Sequence, residues 1–162
     1  MVDVKYKVSQ SDRTMNNFYD KDFYQWTQQT VQTIEDKQYD LVDWDNLIEE
    51  IETLGRSKKR VVKSHLVILL MHLLKWKYQP EQRSNNWKAS IRNARAELID
   101  LLQDNLSLAG DFLVEISPSV YARAREQAAE ETTIFLQNFP VDCPYSLQQI
   151  LNFVFLPERE NL

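Results

Sequence analysis

The sequence predicts an all-α protein, a single-domain irregular helical bundle with one buried central helix. The run from Val61 to Trp76 is apolar on more than one side, which is typical of a helix enclosed by its neighbours. Only Gly55 and Gly110 can supply glycine at positive-φ turn positions, so β-hairpins and glycine-rich phosphate loops are disfavoured. A length of 162 residues suits one domain, with residues 1–18 as a loose lead-in.

The first two helices are predicted from aspartate caps that precede apolar residues at helical spacing. The candidate caps are Asp20 or Asp22 for the first helix and Asp43 or Asp45 for the second. The first helix should end near Lys37, and Gly55 should end or bend the second. The apolar stripe of the second helix comprises Trp44, Leu47, Ile48, Ile51 and Leu54.

The central helix is expected to begin at Ser57 and to continue to about Tyr78, before Pro80 stops it. A fourth helix starts after Ser84. Its stripe comprises Trp87, Ile91, Ala94, Leu98, Leu101 and Leu102, with Arg92 and Arg95 toward the edge.

The last third of the sequence predicts shorter elements. Ser107 is a cap for a short piece ending near Ile116, and a serine followed by Pro118 should open a new helix that runs to about Leu136. A loop covers residues 139–145. Ser146 begins a capping-box pattern that opens a last short helix.

Charge is divided unevenly along a chain whose net charge is −5. The segment Arg56 to Arg95 holds eleven Lys or Arg and one acid, and the rest holds eight Lys or Arg and twenty-three acids. The division indicates either an anionic partner or pairing of the basic middle with the acidic flanks, and pairing is favoured.

His65 and His72 are the two histidines, and both lie on one face of the central helix. Seven residues separate them by about 10 Å along the helix axis, so they cannot hold one metal ion whose ligands lie at about 2 Å. No metal and no cofactor are predicted. The favoured interpretation of His72 is a neutral core imidazole hydrogen-bonded by Glu50 or Glu52, with a role in chemistry as the alternative.

A catalytic cleft is the third-ranked hypothesis, and its candidate residues are Glu49, Glu50, His72 and Arg83. Cys143 lies in a loop without a neighbouring histidine, and no nucleophile pattern is found. The sequence therefore leans against an enzyme.

Cations and aromatic residues alternate around the end of the central helix, a composition that suits stacking on bases and neutralisation of phosphates. The candidate nucleic-acid contacts are Lys58, Lys59, Lys63, Lys75, Trp76 and Trp87. The two tryptophans also lie on the apolar stripes of their helices, so a structural role is the alternative.

Five segments resemble a bacterial family catalogued as domain of unknown function twenty-nine. They are YDKDFYQWT from Tyr19, DWDNLIEEIETLGRS from Asp43, HLLKWKYQP from His72, RSNNW from Arg83 and CPYSL from Cys143. The resemblance covers Tyr19 to about Pro157 and departs at Asn86, where a small hydroxyl residue is expected. It implies an all-helical fold and a bacterial cytosolic setting, and it brings no established activity.

Three functions remain open, led by a protein-interaction or adaptor module. That hypothesis predicts an exposed apolar patch from Phe139, Tyr145, Phe153 and Phe155. The alternative is binding of nucleic-acid phosphate through Arg56 to Arg95. A cytoplasmic location without membrane contact is expected, because no apolar run approaches the ~20 residues of a membrane span.

Overall fold

The computed structural model describes residues 18–158, which are helical wherever they are regular, and no strand occurs among them. The helices are α1 (described over residues 18–21), α2 (Phe23–Glu35), α3 (Trp44–Tyr78), α4 (Asn85–Asp104), α5 (Asp111–Thr132) and α6 (Leu147–Leu151). Single 3₁₀ turns lie at Tyr39–Leu41, Pro80–Gln82, Leu106–Leu108 and Leu136–Asn138. The all-α prediction is confirmed, and residues 1–17 of the predicted lead-in lie outside the described part. None of the described helices has the combination of length and hydrophobicity that crossing a membrane requires.

Several predicted caps are confirmed by their hydrogen bonds. The carboxylate of Asp22 accepts from the backbone N–H of Gln25, and the hydroxyl of Ser84 accepts from that of Trp87. Ser146 and Gln149 form the reciprocal bonds of a capping box. Local side-chain chemistry therefore sets the starts of α2, α4 and α6.

Helix α3 is continuous, and the predicted break at Gly55 with a new cap at Ser57 is wrong. Glycine costs only about 1 kcal/mol within a helix, which good helix formers on both sides offset. Gly55 does not adopt a positive φ; Lys37 and Thr133 do so instead, just after α2 and α5. The turn out of each of these helices is thus made without glycine.

The chain groups into two compact units, residues 1–55 and 56–162, whose boundary falls inside α3. In the first unit, Trp26, Thr30 and Val42 are buried. The rings of Tyr19 and Phe23 pack against Trp26 with centroids 5.0 and 5.5 Å away. This unit is therefore organised around one tryptophan.

The second unit contains the hydrophobic core, and α3 supplies most of its centre. Leu69 and Leu73 are fully buried, as the sequence predicts for a central helix. Ile91 and Leu98 of α4 and Ala124 of α5 pack into the same core. Val61 and Ile68, which belong to the apolar run from Val61 to Trp76, are instead exposed.

Helix α5 runs through Ser117 and Pro118, so the prediction that a new helix begins there is wrong. Proline removes one main-chain donor and normally interrupts a helix. Here the hydroxyls of Ser117 and Ser119 donate to the carbonyls of Leu113 and Ile116, which gives neighbouring helical carbonyls side-chain partners.

Arg95 was expected at the edge of the α4 stripe, but it is 1% exposed. Its guanidinium donates to three main-chain carbonyls, those of Ile150, Phe153 and Phe155, at 2.7, 3.2 and 3.0 Å. Burial lowers the pKa of Arg95 from its ordinary value. The side chain is buried because the carbonyls of the C-terminal segment replace its water shell.

Candidate functional site

An ion pair between Lys75 and Glu131 lies beside the end of α3. The Nζ of Lys75 lies 2.5 Å from Oε2 of Glu131 on α5 and 4.6 Å from the ring centroid of Trp87. Glu131 belongs to the acidic flank but was not a candidate residue. The sequence carries no signal for this partner, because 56 residues separate Lys75 from Glu131.

Arg83 makes a cation–π contact with Trp76, as Lys75 does with Trp87. Its guanidinium lies 5.0 Å from the Trp76 ring centroid, and its Nε donates to the Trp76 carbonyl at 2.9 Å. A longer bond of 3.5 Å reaches the carbonyl of Pro157. Trp76 and Trp87 are thus each covered on one side by a cation of the protein itself.

His72 is half-buried, and its Nδ1 does not make the hydrogen bond predicted from Glu50 or Glu52. That atom is buried and has no hydrogen-bond partner among the described residues. Burial lowers the pKa of His72, the charge of Lys75 lowers it further, and Glu131 partly opposes this. The geometry and the charges both favour the neutral imidazole.

Glu50 is engaged by a tyrosine instead. The Tyr19 hydroxyl donates to Oε1 of Glu50 at 2.6 Å, and this bond raises the pKa of Tyr19 to about 12. The carboxylate of Glu50 therefore has a structural partner inside the first unit, while Glu49 is exposed. Between residues 18 and 158, no three His, Cys, Asp or Glu side chains come together as a metal site.

The predicted aromatic patch is wrong for two of its four members. Phe139 is 1% exposed and packs on Tyr78, with ring centroids 5.0 Å apart. Tyr145 is buried beside Phe155. Of the four, Phe153 alone is exposed, at 57%, so these residues form no continuous apolar surface.

An exposed apolar surface exists elsewhere, on the first part of α3. It consists of Trp44, Ile48, Ile51 and Leu54, which we call the α3 apolar face, and these side chains are 47%, 53%, 59% and 66% exposed. Their spacing of three or four residues places them on one side of the helix. The sequence predicted this stripe correctly and did not predict its exposure.

A cleft of about 500 Å³ lies between α3 and α5, within the second unit. Its lining, which defines the α3–α5 cleft, is Arg60, Lys63, Ser64, Val67, Ile68, Ser119, Val120, Arg123 and Gln127. Helical spacing places the α3 members on one face of that helix and the α5 members on one face of the other. Lys63 was a predicted binding residue, whereas Arg60 and Arg123 were not.

The remaining predicted lysines lie outside this cleft. Lys58 is exposed, and the Nζ of Lys59 lies 5.4 Å from the ring centroid of Phe112. A second cleft, of about 520 Å³, contains Lys88 and Arg92 together with the buried Arg95. Because Arg95 already donates to three carbonyls, this second cleft offers fewer uncommitted cations than the α3–α5 cleft.

Comparison with curated proteins and with solved structures gives no significant match. The family model described as "Domain of unknown function DUF29" matches residues 18–156, which include α2 to α6 and both clefts. The match covers far more than half of the chain, and it confirms the resemblance noted from the sequence segments. The chain is therefore a member of the DUF29 family.

Proposed function

We propose that the protein is an interaction module that binds another protein through the α3 apolar face. The observation that carries this proposal is the composition of the first unit, whose described residues bury few apolar side chains and expose nine large ones. The exposed residues are Phe23, Tyr24, Val31, Tyr39, Leu41, Trp44, Ile48, Ile51 and Leu54. Contiguous exposed apolar surface is typical of interaction sites.

The size of the unit supports the same proposal. A unit of 55 residues buries only about 60% of the surface that its unfolded chain exposes, so its stability is marginal. Trp26 and Val42 are the buried hydrophobic residues of this unit among those described. Covering Ile51 and Leu54 with a partner would stabilise α3 by about 25 cal/mol for each Å² of apolar surface removed from water.

The form of the α3 apolar face indicates the kind of partner. Trp44, Ile48, Ile51 and Leu54 make a stripe along one side of a helix. A helix with an apolar stripe of its own would be complementary to this surface in shape. We therefore assign the partner as a protein that presents an amphipathic helix.

A site-specific photo-crosslinker tests the assignment. It is placed at Ile51 and, as a matched control, at Val141, an exposed residue of a loop in the second unit. The protein crosslinked only from position 51 is then purified, and its affinity is measured for the unmodified chain, Ile51→Asp and Val141→Asp. We expect Ile51→Asp to weaken binding at least about tenfold, because it places a charge in an apolar contact, and Val141→Asp to leave it within about twofold.

Two results would contradict the proposal. One is equal crosslinking from both positions, and the other is an affinity that Ile51→Asp does not change. If the crosslinked protein is a second copy of this chain, sedimentation equilibrium should show a dimer that Ile51→Asp dissociates. In that case the face mediates self-association, and the proposed separate partner is wrong.

A further inference from the structure

The α3–α5 cleft brings three cations together without an acid in its lining. Arg60 and Lys63 lie one turn apart on α3, and Arg123 lies on α5. None of the ion pairs or hydrogen bonds found among residues 18–158 engages the charged groups of these three side chains. The cleft therefore has a local charge of +3 in a protein whose net charge is −5.

The three cations are exposed, so solvent screens their mutual repulsion but does not remove it. Like charges three or four residues apart on a helix, or converging from two helices, repel each other and destabilise the fold slightly. The twenty-four acids of the chain would allow each of these cations to be paired, as Glu131 pairs Lys75. An unpaired group of cations in a concave site is typical of a surface that binds an anion.

The other residues that line the cleft indicate which class of anion it can bind. Val67 and Val120 are buried and form an apolar part of the cleft, and Ile68 is partly exposed beside them. The guanidinium groups of Arg60 and Arg123 offer paired donors that match phosphate oxygens, and Lys63 adds a point charge. The Gln127 amide adds a neutral donor and acceptor.

We propose that the α3–α5 cleft binds the phosphate group of a small phosphomonoester whose organic part contacts Ile68. The phosphate lies between Arg60, Lys63 and Arg123, and the organic part covers the exposed surface of Ile68 beside the buried Val67 and Val120. The cleft volume of about 500 Å³ is in the range of sites for molecules the size of a mononucleotide. This site is separate from the α3 apolar face and does not depend on the partner proposed above.

A nucleic-acid strand is the competing occupant of the cleft. Substitution of Lys58 distinguishes this strand from a small phosphomonoester. A strand would contact exposed cations along α3 in proportion to their number, so Lys58 would contribute about as much as Arg60. A small phosphomonoester confined to the cleft would contact Arg60 and not Lys58, which is absent from the lining. The variants Lys58→Gln and Arg60→Gln remove the same charge from exposed positions two residues apart.

Calorimetric titration of the full chain tests the proposal. The probes are inorganic phosphate, phenyl phosphate and AMP, with phenol and adenosine as uncharged controls, at millimolar concentrations. We expect saturable binding of phenyl phosphate and AMP that is tighter than that of phosphate, and no binding of the uncharged controls. Arg60→Gln and Arg123→Gln should each weaken binding at least about tenfold, because each removes charge-assisted hydrogen bonds, and Lys58→Gln should change it less than about twofold. Circular dichroism checks that each variant is folded.

Three outcomes would overturn the proposal. The first is a lack of saturable binding for all three phosphate probes. The second is binding of inorganic phosphate with no gain for phenyl phosphate or AMP, which would exclude a site for the organic part. The third is equal weakening by Lys58→Gln and Arg60→Gln, with an oligonucleotide bound more tightly than AMP, which would assign the cations to a nucleic acid.

Discussion

The buried nitrogen of His72 makes this residue a source of pH-dependent stability. In the unfolded chain an imidazole takes up a proton near pH 6.5, whereas burial and Lys75 lower the pKa of His72 in the folded protein. As the pH falls through 6.5, the unfolded state therefore binds more protons than the folded state does. The contribution of the neutral imidazole is complete above pH 6.5 and is lost progressively below it.

We expect the free energy of unfolding to decrease between pH 7 and pH 5.5, by at most about 1.4 kcal/mol per pH unit, the limit for one proton. His72→Gln should reduce this slope, and His65→Gln serves as the control for a histidine on the same helix. Urea unfolding at several pH values measures the slopes. Equal slopes for His72→Gln and the unmodified chain would show that His72 does not titrate in this range.

The helix face on which a side chain lies was predicted more accurately than the group to which that side chain hydrogen-bonds. The Nδ1 of His72 is buried, but the expected partner Glu50 accepts a hydrogen bond from Tyr19 instead. Arg95 was placed at an edge because its carbonyl partners lie 55 to 60 residues away. Helical spacing determines the face on which a side chain lies, and it contains no information about which distant segment covers that face.

At the scale of helices, Gly55 is a position where α3 can be strengthened. A Cβ added there meets nothing within 4 Å, and its backbone is not in the positive-φ region. Gly55→Ala should therefore stabilise the protein by about 0.5 to 1 kcal/mol, since alanine loses less backbone freedom on folding.

Thermal unfolding followed by circular dichroism measures this change. Gly110→Ala is the matched control, because Gly110 is the N-cap of α5 and alanine is a poorer cap than glycine. We expect a higher midpoint for Gly55→Ala and an unchanged or lower one for Gly110→Ala. A lower midpoint for Gly55→Ala would mean that the glycine has a packing role.

The helix starts after Asp22, Ser84 and Ser146 were predictable, whereas the continuation of helices past Gly55 and Pro118 was not. Ser84 and Ser146 were recognised because a cap acts on backbone groups only three residues away. Gly55 was expected to end or bend a helix and Pro118 to open a new one, since each disfavours the interior of a helix. Both lie inside helices, because whether a helix continues past such a residue depends on the stability that the rest of the helix provides.

For the whole molecule, the location of the core predicts which part of the chain folds independently. The main hydrophobic cluster of the described residues lies entirely in the second unit, between Val62 and Ile150. A fragment of residues 56–162 should therefore keep its helical circular dichroism and unfold in one cooperative transition. A fragment of residues 1–55 should be largely unstructured, because its described residues bury little apolar surface. Gradual melting of the larger fragment would contradict this expectation.

A feature formed by one continuous segment could be predicted from the sequence, whereas a site formed by two distant segments could be predicted only in part. The apolar density of the Val61 to Trp76 run identified the centre of the core, because density is a property of the sequence itself. The α3–α5 cleft was found only in part. Lys63 lies in the basic segment, whereas Arg123 lies in the acidic flank and joins Lys63 only because α5 packs beside α3.

The hydrogen bonds of Arg95 have a consequence for variation within the family. They are made to main-chain carbonyls, which every amino acid possesses, so the path of residues 150–155 does not depend on the exposed side chains of Phe153 and Val154. These two positions can diverge freely among relatives, even to proline at Phe153, which keeps its carbonyl. By contrast, Arg95→Lys would remove the planar fork of donors and release the C-terminal segment from α4. A single arginine can in this way permit sequence change across a neighbouring stretch of the chain.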